Sequence, residues 1–142
     1  MEKLINLDIE CAKLGRELAS LDIKEKELND ALNVLEEQGI YAMFLYIQAK
    51  YKSNVKNDFQ KHCKGFLEHI LGKNNQTNDK NDKDHNDKDH KDHDDKREDH
   101  DDKRVLEFIK QLAENLDELL FAWDLLRRAL SYALYHLKAK EG

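Results

Sequence analysis

The amino-acid sequence predicts an all-α protein, a compact bundle of five or six helices that carries a long charged insertion. Three observations predict this fold. The 142 residues include no proline and only five glycines, a composition that favours helices. Apolar residues recur every three or four positions over most of the chain, as on one face of a helix. That pattern stops between residues 73 and 103, where the sequence becomes wholly hydrophilic and repetitive.

The segment before the insertion, residues 1–72, is predicted to hold the N-terminal helices. We expect a first helix over about Lys3–Ala19, where leucine and cysteine recur at alternating four- and three-residue spacings. Asp22 followed by Glu25 has the spacing of a capping box, which indicates that a second helix begins there. One continuous helix through this point is the alternative. The second helix is expected to end at Gly39, which suits a left-handed C′ position.

The third and fourth predicted helices differ in how they are buried. Ile40–Lys50 is apolar nearly all round, so we expect a short and deeply buried helix. Ser53 or Asn54 is suited to cap a fourth helix, which ends at Gly72. The apolar stripe of the fourth helix consists of Val55, Phe59, Cys63, Phe66 and Ile70.

The insertion, residues 73–103, has a different composition. The pentapeptide Asn-Asp-Lys-Asp-His occurs twice in succession, at 81–85 and 86–90, and no hydrophobic residue interrupts the segment. Such a chain buries no apolar area to offset its ordering entropy, so we expect it to be solvated and largely disordered. Its last turns, from about Asp94, suit an extension of the following helix. We expect residues 74–102 to be dispensable for folding.

Histidines within the insertion raise the alternative of a metal site. Imidazole and carboxylate groups bind divalent metals, but these spacings match no preorganised site, and closing one would require ordering a flexible chain. We therefore expect no metal and no cofactor. The histidines concerned are His85, His90, His93 and His100.

The segment after the insertion, residues 104–142, contains the longest apolar stripe and is expected to organise the bundle. It runs through Val105–Lys140, and the sequence leaves open whether this is one helix or two, with a break between Glu114 and Glu118. The stripe consists of Val105, Ile109, Leu112, Leu116, Leu119, Trp123, Leu126, Leu130, Ala133 and Leu137.

Charge and cysteine content narrow the class of protein. The net charge is −6, yet residues 49–72 carry five bases against two acids, so a nucleic-acid partner is not excluded. Cys11 and Cys63 form no metal motif and favour a reducing cytoplasm. The chain starts without an apolar signal core, and no segment has the length and apolarity of a membrane span.

Scattered basic residues are the candidate binding site. We expect them on outer helix faces, where they would contact phosphates of an RNA backbone without sequence preference. An ordinary solvated face is the equally weighted alternative. The candidate residues are Lys50, Lys52, Lys56, Lys61, Lys64, Arg127 and Arg128.

Catalytic motifs are not apparent. The sharpest candidate is Arg128 with His136, since helical ribonucleases of the HEPN class use an arginine followed by a histidine. Here seven residues separate the two, more than that motif allows. We therefore expect a protein that is not an enzyme, with no catalytic residues.

Two segments carry a family resemblance. Leu35–Lys50 reads LEEQGIYAMFLYIQAK, an apolar helix end, a glycine and an apolar helix closed by lysine. Leu119–Leu130 is an apolar run that contains the basic pair Arg127 and Arg128. Both segments, with a variable polar insertion between them, resemble the small α-helical subunit of type III-B (Cmr) CRISPR effector complexes.

The resemblance implies a non-catalytic subunit of an RNA-guided antiviral complex. Family members stack in several copies beside the subunits that hold the guide RNA and line the groove where target RNA pairs with it. Lys50 then closes the signature helix, and Leu4, Tyr41 and Tyr135 are candidate contacts to other subunits or copies. Three alternatives stay open: the type III-A small subunit, a helical adaptor without nucleic acid, and a HEPN-like ribonuclease.

Overall fold

The computed structural model describes residues 6–72 and 94–141, with the side chains of residues 94–100 and 141 left out. Every regular element in these ranges is an α-helix, which confirms the all-α prediction. The expected disorder of residues 73–93 lies outside the described residues, as does the expected first turn at Lys3. The helices are α1 (Leu7–Ala19), α2 (Glu25–Gln38), α3 (Ile40–Lys50), α4 (Ser53–Leu71), α5 (Asp94–Ala113) and α6 (Leu116–Glu141).

The pair formed by α1 and α6 is the centre of the bundle. α6 packs most extensively against α1 and next against α2. The two helices run in the same direction, because the Cys11 thiol lies 3.5 Å from the Leu125 carbonyl oxygen while Lys140 reaches the Ala19 carbonyl oxygen at 3.2 Å. The buried side chains of α6, which pack against α1 and the neighbouring helices, are all apolar: Ala122, Leu125, Leu126, Ala129, Leu130, Ala133, Leu134 and Leu137.

The long apolar segment after the insertion is two helices. α5 ends at Ala113 and α6 begins at Leu116. The Asn115 side-chain oxygen accepts a hydrogen bond from the Glu118 backbone N–H at 3.1 Å, which satisfies one of the free donors of the new helix. Leu116, a member of the predicted stripe, is 64% exposed, so the stripe is not buried continuously through the break.

A single glycine joins α2 and α3. Gly39 has φ 104° and ψ 179°, a backbone conformation that only glycine adopts readily. Its N–H donates to the Leu35 carbonyl and its own carbonyl accepts from Met43 N–H. The predicted helix end is therefore correct, but the left-handed C′ geometry is not, because ψ is extended. The observed left-handed glycine is Gly72, with φ 73° and ψ 17°.

The start of α2 confirms the predicted break but not its cap. The Lys24 backbone N–H donates to the Glu27 carboxylate at 3.1 Å, so the carboxylate contact lies two residues later than the Asp22 and Glu25 spacing indicated. α4 begins at Ser53 without a side-chain cap.

The third helix is only partly buried. Met43, Phe44 and Ile47 are fully inaccessible to solvent, but Tyr41 and Leu45 are 37% and 45% exposed. The prediction of a deeply buried helix is therefore correct for one face and wrong for the face that carries Tyr41 and Leu45.

The last residues of the insertion form the start of the following helix, as predicted from about Asp94. α5 begins at Asp94, so the segment predicted as insertion through residue 103 ends inside a helix. Asp102 packs against α4, where its carboxylate accepts hydrogen bonds from Lys56 at 3.1 Å and Gln60 at 3.0 Å. These contacts argue against the expectation that residues 74–102 are dispensable for folding as far as its C-terminal end is concerned, and a replacement experiment has to test it.

Candidate nucleic-acid interface

Two exposed lysines lie at the corner between α3 and α4, on either side of a buried tyrosine. Lys50 and Lys52 flank Tyr51, which is 7% exposed. The Tyr51 hydroxyl donates to the Glu27 carbonyl oxygen at 3.0 Å, and its ring meets Phe59 edge-on at 5.6 Å. Because the tyrosine is fixed to α2 and α4, the corner backbone is fixed too, while both lysine side chains remain in solvent.

A third exposed lysine lies on the outer side of α4. Lys61 is exposed and follows Asp58 by three residues on the same face. We call Lys50, Lys52 and Lys61 the lysine surface. None of the three forms an ion pair with another described residue. Their ammonium groups are therefore available to an anionic partner.

Lys56 does not belong to that surface. It is 7% exposed, and its ammonium group pairs with the Asp102 carboxylate at 3.1 Å. Gln60 donates to the same carboxylate, and Gln48 donates both to Gln60 at 2.7 Å and to the Asp102 carbonyl at 3.2 Å. The expected outer-face position of Lys56 is wrong, because α5 covers it and supplies the compensating charge. Its role is to hold α4 to α5.

Lys64 is also engaged within the bundle. Its ammonium group pairs with Glu68 at 2.8 Å and lies 5.4 Å from the centre of the Phe108 ring. Its side chain is only 23% exposed, so the charge is shared between a carboxylate and an aromatic face. Lys64 is expected to add little to the binding of an external phosphate.

The arginine pair of α6 shares one acid. Arg127 and Arg128 contact the Asp124 carboxylate at 2.8 Å and 3.2 Å. Arg127 also lies over the Trp123 ring, 5.4 Å from its centre, and the Trp123 indole N–H donates to the Leu35 carbonyl at 2.8 Å. The described side-chain contacts of both arginines are thus with residues of α6, and one of these residues, Trp123, is hydrogen-bonded to α2. The residues of the lysine surface, in contrast, belong to α4 and to the end of α3.

His136 contacts a different set of residues from Arg128. The two lie eight positions apart on α6, about 12 Å along the helix axis. His136 lines a cleft of about 310 Å³ with Arg16, Ser20 and Lys140, a grouping that Arg128 does not join. Sequence reasoning missed this cleft, because residues on the first and last helices meet there only through the parallel packing of those helices.

An apolar groove is the second notable surface. It encloses about 520 Å³ between the α2–α3 bend, the end of α5 and the start of α6. Two of its lining residues, Tyr41 and Leu120, are exposed; Leu116 and Phe121 are exposed on the first turns of α6 but do not line the groove. Of the predicted subunit contacts, Tyr41 lies on this groove, Tyr135 is 67% exposed elsewhere, and Leu4 is outside the described residues. The lining residues are Gln38, Gly39, Ile40, Tyr41, Ile109, Lys110, Ala113, Leu119, Leu120 and Trp123.

The cysteines are unsuited to chemistry. Cys11 and Cys63 are free and buried. Burial raises the pKa of the Cys11 thiol to about 11 and raises the pKa of Cys63 well above its usual value, so neither forms a thiolate readily at neutral pH. Among the residues that the structure describes, no cluster of three or more His, Cys, Asp or Glu side chains is placed to hold a metal ion. The insertion histidines, including His100, lie outside the described side chains.

Comparison of the chain with protein-family models, with curated proteins and with solved structures finds no match. Within residues 6–72 and 94–141, no helix combines the length and apolarity needed to cross a bilayer. Function is therefore inferred from the lysine surface, the apolar groove and the residues of the signature segment.

Proposed function

We propose that this protein is a non-catalytic, RNA-binding small subunit of a type III-B CRISPR effector complex, which acts in antiviral defence in the cytoplasm. The observation that carries the proposal is the lysine surface at the end of the signature segment. Lys50, the last residue of that segment, is exposed and sits on the fixed corner at Tyr51.

Side-chain chemistry at the corner suits contact with a nucleic-acid backbone. A lysine ammonium is a compact charge on a flexible stem, without the planar fork by which arginine reads a base edge. Phosphate contacts of this kind fix position without reading sequence. A subunit that must accept any guide RNA requires such contacts.

The apolar groove supplies a surface for protein partners. Leu116 and Leu120 are 64% and 55% exposed, and Phe121 is 38% exposed. Leu120 and the exposed Tyr41 both line the groove, and exposed apolar side chains that line one groove are typical of a protein interface. Under the proposal, this groove contacts other effector subunits or a neighbouring copy of the chain.

A helical adaptor that binds no nucleic acid is the second candidate, and the same groove favours it. The two candidates differ in one property. The adaptor contacts proteins only and therefore binds no RNA at any salt concentration. The small subunit binds RNA within the complex, and that binding weakens as the salt concentration rises.

Native mass spectrometry of reconstituted complexes tests the proposal. The chain is mixed with the remaining subunits of a type III-B complex and guide RNA, and separately with those of a type III-A complex. We expect more than one copy per type III-B particle and no incorporation into the type III-A particle. Selective incorporation into the type III-A particle would instead identify the type III-A small subunit. Absence from both particles, or RNA cleavage by the purified chain that His136→Ala abolishes, would overturn the proposal.

A further inference from the structure

We infer that the cleft between the C-terminal ends of α1 and α6 is a binding site for a phosphate group. Three nitrogen-bearing side chains from two helices line it: Arg16 of α1 with His136 and Lys140 of α6. None of its six described lining residues is acidic, the others being Ala19, Ser20 and Ala139. The inference rests on the proposed function in one respect, because the phosphodiester of RNA is then the expected source of that phosphate.

The cations are placed to act on an external anion. Lys140 donates one hydrogen bond to the Ala19 carbonyl at 3.2 Å, which fixes its ammonium group at the cleft and leaves two further N–H donors. Arg16 is exposed and forms no ion pair with another described residue. The Ser20 hydroxyl donates to the Glu17 carbonyl at 2.7 Å. The positively charged side chains, and not the hydroxyl, are therefore the donors that an anion would meet.

Of the acids whose side chains the structure describes, the two nearest to Arg16 along α1 are turned to other partners. Glu17 follows Arg16 in sequence, but its carboxylate lies 3.4 Å from the imidazole of His62 and takes no part in the lining. Glu10, the preceding acid on α1, contacts Lys13 at 3.5 Å. Arg16 and Lys140 thus give the cleft two positive charges, and His136 adds a ring nitrogen to the lining.

The C-terminal end of α1 opposes an anion with a partial charge only. A helix C-terminus carries about half a negative charge on its free carbonyl groups. The last four carbonyls of α1 all accept hydrogen bonds: Ser20 N–H donates to those of Arg16 and Glu17, Leu21 N–H to that of Leu18, and Lys140 to that of Ala19. Arg16 and Lys140 set two full positive charges against the partial negative charge of this helix end.

The volume also fits. About 310 Å³ lies at the lower end of the range for ligand pockets, and a solvent-open cleft of this size admits a phosphate with its bound waters. A nucleic-acid backbone and a free phosphate ion share the chemistry that this cleft recognises. The experiment separates these two sources.

NMR titration of the full chain tests the site with two probes, inorganic phosphate and a short oligouridylate. We expect saturable shifts of the Ser20, His136 and Lys140 amide signals with both. The variant Arg16→Gln/Lys140→Gln should raise the apparent dissociation constants at least about fivefold. The control Lys13→Gln/Lys138→Gln removes the same charge from exposed positions on the same two helices and should change them less than about twofold. Arg16→Gln alone serves if the double variant does not fold.

Each outcome decides the inference. Shifts with phosphate alone would keep the site and assign it to a free phosphate ion. The inference is wrong if neither probe gives saturable shifts, or if both double variants weaken binding equally. It is also wrong if Arg16→Gln/Lys140→Gln lowers the melting temperature without weakening the binding of either probe, because the two cations then only stabilise the helix ends. None of these readouts requires assembly into an effector complex, so failure of the proposed function in mass spectrometry is a separate result.

Discussion

Gly15 of α1 lies against Ala129 of α6 so closely that a Cβ atom at Gly15 would stand 2.8 Å from the Ala129 carbonyl oxygen. The same atom would lie 2.6 Å from Tyr132 Cβ and 2.9 Å from the Ala133 backbone nitrogen. Two of these three neighbours are backbone atoms, which cannot rotate away as a side-chain tip can. The absence of a side chain at this position therefore sets the distance between the two central helices.

The first prediction concerns this contact. Gly15→Ala should destabilise the protein by about 2 kcal/mol or more, because α1 must move away from α6 along a tightly packed seam. Gly65→Ala is the matched control, since Gly65 lies inside α4 with no atom within 4 Å of an added Cβ. That control should stabilise the protein by about 0.5–1 kcal/mol through helix propensity. Urea unfolding of both variants measures the difference, and equal effects of the two substitutions would refute the contact.

The helices themselves were predictable from the sequence, because each segment carries its own apolar periodicity. Leu14 and Leu18 on α1, and Leu126 and Leu130 on α6, are predicted on buried faces by spacing and are buried in the structure. The role of Gly15 was not predictable. From the sequence alone, a glycine inside a helix is expected only to destabilise that helix. The close helix approach that Gly15 permits involves Ala129, 114 positions away, and only the structure shows it.

The candidate site was predictable only in part, because charge alone does not specify exposure. Lys50, Lys52 and Lys61 are exposed as expected. Lys56 is not, since its partner Asp102 comes from a hydrophilic segment read as insertion and lies 46 positions away. Local patterns assign such an aspartate to solvent, and only the path of α5 brings it to α4.

The second prediction tests the Lys56–Asp102 pair. Lys56→Ala should cost about 3 kcal/mol, because it leaves the half-buried Asp102 carboxylate without its charge partner. Lys26→Ala removes a similar pair, with Asp30 at 3.1 Å, from a position where the lysine side chain is 85% exposed. That control should cost less than about 1 kcal/mol. Thermal unfolding measured for both variants decides. A loss at Lys56 no larger than at Lys26 would mean that the buried pair contributes no more than a surface pair.

The third prediction tests which part of the insertion contributes to the stability of the fold. Replacing residues 74–93 with a Gly/Ser linker of equal length should leave the melting temperature nearly unchanged, because the replaced sequence offers no apolar surface. Extending the replacement to residue 102 should lower it by several degrees, because it removes Asp102 from its contacts with Lys56 and Gln60 and breaks the first half of α5. Circular dichroism during heating measures both. A large loss from the shorter replacement would show that residues 74–93 contribute to the fold.

The last prediction addresses the lysine surface. In the reconstituted complex, reversing Lys50, Lys52 and Lys61 to glutamate should weaken binding of target RNA and make it less dependent on salt. Each lost phosphate contact should reduce the log–log salt slope by about 0.7, the value for a single strand. The subunit should remain folded, because all three side chains are exposed.

A matched variant separates local contact from overall charge. Lys13, Lys26 and Lys138 are exposed cations elsewhere on the bundle, with side chains 64%, 85% and 62% accessible. Reversing three lysines changes the formal net charge by −6 in either variant, since each Lys-to-Glu change contributes −2. If RNA contact occurs at the lysine surface, only the first triple variant lowers the salt slope, because long-range repulsion beyond about 10 Å is screened at 0.1 M salt. Equal weakening by both variants would instead mean that net charge alone governs the affinity, and that the lysine surface is an ordinary solvated face.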